Sequence, residues 1–186
     1  MSPEEIIERD SKLIAGVLSG DEQSFRSLLT HYQSAVFACT MAITRHPDDA
    51  SDAAQEAFIR FYKNIDQFDS SRPLKPYIMR IAANCSRNLI AKKLRQERLL
   101  EEDLTLSASA ASPQLALIKG ERNQAIRKLV DQLPGTLREV TSLFYLADCS
   151  CKEVAEILEM TESAVKVALH RSRKRLFNDM QEWRMA

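Results

Sequence analysis

The chain has 186 residues, room for one large domain or two small ones, and its 26 Lys and Arg are matched by 26 Asp and Glu. Hydrophobic residues at 45% and charged residues at 28% are ordinary for a folded protein and exclude wholesale disorder. Four Gly and six Pro leave few turn formers, and aromatics at 6% leave the core to aliphatic side chains, so the expected fold is all-α with few hairpins.

Asp10 to Leu18 is the first expected helix, stopped by Gly20, with Asp21 as cap for the next. Phe25, Leu28, Leu29, Tyr32, Val36, Phe37 and Met41 recur at three- and four-residue spacing and predict one long amphipathic helix. His46-Pro47-Asp48 breaks it. Ala53, Ala54, Ala57, Phe58, Phe61 and Tyr62 carry the pattern into a third helix, and Asp66 to Pro76 reads as a polar loop. A fourth helix runs from about Tyr77 through Ile78, Ile81, Ala82, Cys85 and Leu89. Between Glu101 and Pro113 the residues turn small and polar, as in a flexible linker. Leu117 to Leu133 is helical up to Pro134-Gly135, and Leu137 to Leu146 is helical again. Ser150-Cys151-Lys152-Glu153 matches a capping box and starts a short helix whose apolar face is Val154, Ala155, Ile157 and Leu158. After a turn at Glu159-Met160-Thr161, a longer helix from about Glu162 carries Val165, Leu169 and Leu176. The expected organisation is two small helical domains, residues 10–98 and 117–182, joined by a linker at 99–116.

Zero net charge hides a patterned distribution. Arg80, Arg87, Lys92, Lys93, Arg95 and Arg98 face the single acid Glu97 between positions 80 and 98, and Lys166, Arg171, Arg173, Lys174 and Arg175 have no acid among them. Two local excesses of positive charge on helices, in separate domains, suit phosphate-facing surfaces, although a single such run is commonly a solvated face. Asp48, Asp49, Asp52 and Glu56 gather at the start of the third helix, where negative charge complements the helix dipole. Part of that cluster also suits a basic protein partner.

Short helix, tight turn and a second helix with a basic exposed face make a helix-turn-helix unit. Val165 and Leu169, four apart, must point inward, which leaves Ser163, Ala164, Lys166, Val167, His170 and Arg171 on or near the outward face. Lys166 and Arg171 are the expected DNA-contacting residues, with Arg173, Lys174 and Arg175 as candidate phosphate contacts.

These residues carry a resemblance. Leu133-Pro134 through Arg138-Glu139, Glu153-Val154-Ala155-Glu156, Ala164-Val165-Lys166 and Leu169-His170-Arg171-Ser172-Arg173 resemble the promoter-binding domain of extracytoplasmic-function (ECF) sigma factors of the sigma-70 family. Asp48 through Phe58 resembles that family's polymerase-docking helix, and Ile78-Met79-Arg80-Ile81-Ala82-Ala83-Asn84 its promoter-melting helix. The resemblance implies that Asp49, Asp52, Gln55 and Glu56 hold the β′ clamp helices of core RNA polymerase. It implies that the loop Asp66–Lys75, with Arg80, Asn84 and Asn88, captures a base extruded from the −10 element of promoter DNA, while Lys92, Lys93 and Arg95 track the adjacent backbone. The second domain would read the −35 element in the major groove and touch the β flap. An anti-sigma factor is the expected regulator. Neither the N-terminal inhibitory region nor the middle domain of larger sigma factors is expected in this length. Tyr77 stands where the family has Trp, Glu159 where it has the Gly of the turn, and Val167 and Ala168 where Ser and Arg are common.

Other classes find less support. Cys149-x-Cys151 is short of the four ligands of a structural zinc site, and no phosphate-binding Gly loop or metalloprotease motif is present, so no metal, no cofactor and no enzymatic activity are expected. A helix-turn-helix repressor with a ligand-binding first domain is the alternative; the first domain's own basic helix argues against it, and the recognition helix argues against a protein-only adaptor. The acidic start Glu4, Glu5, Glu8, Asp10 is unlike a signal peptide, no apolar run approaches ~18 residues, and the four cysteines read as free thiols. The expected address is cytoplasmic.

Overall fold

The computed structural model describes residues 2–101 and 129–185. In chain order the helices are α1 (Pro3–Leu18), α2 (Glu22–Thr44), α3 (Pro47–Lys63), a 3-10 turn (Ile65–Gln67), α4 (Leu74–Glu101), α5 (Gly135–Tyr145), α6 (Cys151–Leu158) and α7 (Glu162–Met185). Among the described residues there is no strand, as the composition implies. The expected linker at 99–116 falls almost wholly outside the described residues, as does most of the helix expected from Leu117 to Leu133.

The first unit, α1 to α4, packs α2, α3 and α4 on one another, with α1 laid along α2. Helix α1 starts seven residues before the expected Asp10. Ser2 Oγ accepts from Glu5 N while the Glu5 carboxylate accepts from Ser2 N at 2.6 Å, and Pro3 takes the first helical position, where no donor is needed. The 2% exposed Asp10 pins α1 to α2: it accepts from Arg9 Nη2 at 2.6 Å and from the Tyr32 hydroxyl. At Gly16 the helices come so close that a Cβ would sit 2.8 Å from Ser24 Cβ. Ala50, Ala53, Ala54 and Ala57 give α3 a small-residue buried face, and Phe61, Ile78 and Met79 fill the centre at 0–1% exposure. Helix α4 begins at Leu74, earlier than the expected Tyr77, because Leu74 and Ile65 are themselves buried and tie down both ends of the loop.

The second unit holds α5, α6 and α7 around Val140, Leu143, Val154, Ile157, Val165 and Leu169. It packs α5 on α2 and α6 on α4, and its buried residues run without a break into those of the first unit. Polar contacts also cross this seam, among them two hydrogen bonds. Arg138 Nε donates to the Ala42 carbonyl at 2.8 Å, and Lys75 Nζ donates to the Asp148 carbonyl.

Candidate nucleic-acid interface

Helix α6 opens as the sequence requires. Glu153 N donates to Ser150 Oγ at 3.2 Å and Ser150 N to Glu153 Oε2 at 2.7 Å. It closes on Glu159, which adopts a left-handed backbone (φ 56°, ψ 44°) and donates its N–H to Ala155 O. The turn that lacks its expected glycine is thus formed, with Glu bearing the backbone cost of ~1 kcal/mol or more. Thr161 Oγ1 accepts from Ala164 N at 3.2 Å and starts α7.

On α7, Val165, Ala168, Leu169 and Ser172 are buried, while Ser163, Lys166, Val167, His170, Arg171, Arg173, Lys174 and Arg175 are exposed and Ala164 is half-buried. Burial of Ala168 gives a physical reason for its small side chain. The structure adds two partners, one within the helix and one across to α5. Glu162 pairs with Lys166 at 2.7 Å, which lowers the carboxyl's pKa and raises the ammonium's. Arg173 Nε donates to the Tyr145 hydroxyl at 2.8 Å and the guanidinium lies 5.9 Å from that ring's centre, so Arg173 also braces α7 on α5. Lys166, His170, Arg171 and Lys174 lie at successive turns and make one outward stripe.

In the first unit, Arg80, Asn84, Asn88, Lys92 and Arg95 are all exposed and spaced three or four apart, so α4 presents them along one line. Asn84 Oδ1 accepts from Arg87 Nη1 at 3.2 Å. Lys93 departs from this stripe and pairs with Asp49 at the start of α3. One residue expected to follow DNA and one expected to hold polymerase are therefore bound to each other. On α3, Asp52 and Gln55 are exposed, and Glu56 pairs with Arg60 Nε at 2.6 Å. The loop before α4 is shaped by Asp69, whose Oδ1 accepts from Ser71 N at 3.0 Å and Ser71 Oγ at 2.6 Å. These hydrogen bonds hold the Asp69 carboxyl below its usual pKa. Tyr77 stacks against Phe68 with ring centres 4.7 Å apart and reaches Phe61 at 6.4 Å, so the aromatic in the family's Trp position supports the loop from beneath.

A cleft of about 800 Å³ separates this loop from α6. Asp69, Arg72, Tyr77 and Arg80 line one side and Lys152, Glu153, Glu156 and Glu159 the other, and Arg80 Nη2 lies 3.8 Å from the Glu159 carboxylate. Sequence reasoning missed this juxtaposition; the unexpected Glu159 was its only trace.

Among the described residues no group of three or more His, Cys, Asp or Glu is gathered for a metal, and no helix is long and apolar enough to cross a membrane. Cys149 and Cys151 differ in environment. Burial pushes the Cys149 thiol up to about 12, whereas Cys151 is half-buried.

The family model for sigma-70 region 2 matches residues 28–96, and that for sigma-70 region 4 matches residues 123–176. The chain is 32% identical over 180 residues to the ECF RNA polymerase sigma factor SigW of Bacillus subtilis (strain 168), covering 92% of this chain and 96% of that one. It is 26% identical over 183 residues to the ECF RNA polymerase sigma-E factor of Escherichia coli (strain K12), covering 92% and 94%. In fold it resembles the sigma factor RpoE from Bartonella quintana, solved with the anti-sigma factor NepR (TM-score 0.69, 21% identity, 86% of this chain and 98% of that one). It also resembles CnrH, solved with the cytosolic domain of CnrY (TM-score 0.67, 22% identity, 94% and 98%). With both sigma-70 regions in order on one chain and a relative matched nearly end to end, this protein belongs to the ECF sigma factors of the sigma-70 family.

Proposed function

We propose that this sigma factor binds core RNA polymerase through the exposed face of α3, at Asp52, Gln55 and Glu56, with Asp49 contributing once it leaves Lys93. Arg80, Asn84 and Asn88, with the 66–75 loop, capture the opened −10 strand, and Lys92, Lys93 and Arg95 follow its backbone. Helix α7 enters the major groove of the −35 element, with Ser163, Ala164, Lys166, Val167, His170 and Arg171 toward the bases and Arg173 and Lys174 toward phosphates. Its own contribution is binding and melting, not catalysis, and its place of action is the cytoplasm. An anti-sigma factor is the proposed regulator, in keeping with the partners of the RpoE and CnrH structures.

The carrying observation is the cationic outer stripe of α7, set on a capped α6 and opposite a buried seam of Val165, Ala168 and Leu169. Opening a duplex costs a few kcal/mol, which capture of an extruded base must offset, and exposed amides beside cations provide for that. The test is transcription in vitro with bacterial core polymerase and a library of promoter fragments. Initiation that requires this protein is the expected result, with Asn84→Ala altering the selected −10 sequence and Lys166→Ala the −35 sequence. A cognate core enzyme that neither binds the protein nor initiates with it would overturn the reading.

A further inference from the structure

The face of α7 turned away from its buried seam is cationic, yet its centre is apolar. Val165, Ala168, Leu169 and Ser172 are buried, and the residues farthest round the helix from them are Ser163, Val167, His170 and Lys174. Val167 is 49% exposed, with Lys166, His170 and Arg171 exposed about it. A single exposed aliphatic residue is ordinary on a protein surface, so exposure alone explains nothing. Its position is the informative part. Val167 is the sixth residue of a helix that begins at Glu162, within the turns that a recognition helix brings to base edges.

Neither the core nor the helix requires valine here. Val167 lies outside the buried cluster that joins Val165, Ala168 and Leu169, and β-branching makes it a weaker helix former than alanine. The neighbouring ammonium is drawn one turn back, to Glu162 at 2.7 Å. Branching also fixes χ1 in a helix, so both methyl groups point in a set direction before any ligand arrives. Such a side chain has no donor or acceptor to offer a base. Laid against a purine edge or the cytosine amino group, it would strip water from a polar atom and return no hydrogen bond. In the major groove one base edge carries an apolar group, the 5-methyl of thymine. A protein surface matching Val167 would have to be apolar at its centre and bury the surrounding cations, whereas a phosphate-walled groove keeps those cations paired.

We infer that Val167 is a specificity-determining residue of α7, which reads the 5-methyl of one thymine in the −35 element by van der Waals contact. The inference rests on the reading of α7 as the −35 recognition helix and adds to it the base class at one step. Ala164, three residues earlier and half-buried, sets a second methyl beside Val167. Serine, common in the family at position 167, can bond to several bases through its hydroxyl. Valine replaces that tolerance with a contact that a 5-methyl alone provides.

The experiment takes a promoter fragment selected from the library by the polymerase holoenzyme. The thymines of its −35 element, on both strands, are replaced one at a time by deoxyuridine, which removes the methyl and keeps the pairing and the O4 acceptor. At one position the exchange should weaken holoenzyme binding about threefold to fivefold, as loss of one buried methyl requires. Val167→Ala should abolish the difference between thymine and deoxyuridine at that position. There the parent should also bind 5-methylcytosine better than cytosine, and Val167→Ala should bind the two equally. The substitution removes no buried contact and introduces a better helix former, so the fold is kept. A selected element without thymine, the lack of any methyl effect, or a methyl effect that persists in Val167→Ala would each overturn the inference. If Lys166→Ala and Val167→Ala both left the selected −35 sequence unchanged, the reading of α7 would fall and this inference with it. A selection altered by Lys166→Ala, with no methyl effect traced to Val167, would overturn this inference alone.

Discussion

Arg138 Nε caps α2 from the second unit, donating at 2.8 Å to the carbonyl of Ala42, 96 residues earlier in the chain. The last four carbonyls of a helix have no partner within it. Here Met41 O receives the N–H of Arg45, and Ala42 O receives the guanidinium. Burial, and then the neighbouring Arg45, push the Arg138 pKa below its ordinary value. The side chain thus supplies a necessary donor at the expense of a desolvated charge.

Truncation at this position should therefore cost more than the loss of one hydrogen bond. Arg138→Ala leaves both a void and an unpaired buried carbonyl, and should lower stability by about 2–3 kcal/mol. Arg138→Met leaves the same carbonyl unpaired, but it fills the space and removes a desolvated charge, so it should cost about 1 kcal/mol less than Arg138→Ala. Urea unfolding followed by circular dichroism separates the two; equal losses for both would show that packing volume is irrelevant here.

Glu159→Gly should stabilise the second unit. Glycine adopts the observed φ of 56° without a Cβ clash, and after its larger unfolded-state entropy is allowed for, the net gain is about 0.5–1 kcal/mol. The melting temperature should rise by a few degrees. An unchanged or lowered value would mean that the Arg80 contact outweighs the backbone strain.

Alkaline pH should destabilise the fold through its buried thiols. Desolvation raises the Cys149 pKa from 9.0 to about 12, and raises that of Cys39 as well. A raised folded pKa means the unfolded chain loses its proton first. The contribution is intact below pH 9 and is lost as pH rises from about 9 toward the folded values. Cys149→Ala should flatten the stability–pH curve between pH 9 and 12 by up to about 1.4 kcal/mol per pH unit. A slope identical to the parent's would contradict the burial of this thiol.

On promoter fragments, Lys174→Ala should weaken binding of the polymerase holoenzyme to all sequences by similar factors and reduce the log–log salt slope by about 1, as loss of a phosphate contact requires. Arg171→Ala should instead relax preference at one −35 position, with about 1–3 kcal/mol of discrimination lost. Binding titrations from low to moderate salt distinguish the two. A sequence-dependent loss at Lys174 would reassign it to base contact.

Much of this arrangement is legible in the sequence because it is local. The Ser150/Glu153 capping box, the break at Pro47 and the inward Val165–Leu169 pair depend on residues within a turn or two of one another. The start of α1 at Pro3 was equally local, but its Ser2/Glu5 box precedes an acidic stretch with few apolar residues, so periodicity did not register it. Lys93–Asp49, Arg80–Glu159 and Arg138–Ala42 join positions 44, 79 and 96 residues apart, and charge patterning along a chain carries no such pairing. Arg173 was legible as exposed and basic, but its bond to Tyr145 depends on how α7 crosses α5.

The distribution of thiols has a practical consequence. Cys39, Cys85 and Cys149 are sealed inside and only Cys151 is half open, so a native alkylation experiment should modify one sulfur quickly and the others only as the structure breathes. Each slow sulfur then becomes a built-in clock for a different part of the molecule, Cys85 timing the helices of the first unit and Cys149 the segment that leads into α6. The chain carries its own opening gauge, readable by mass spectrometry without a single foreign label.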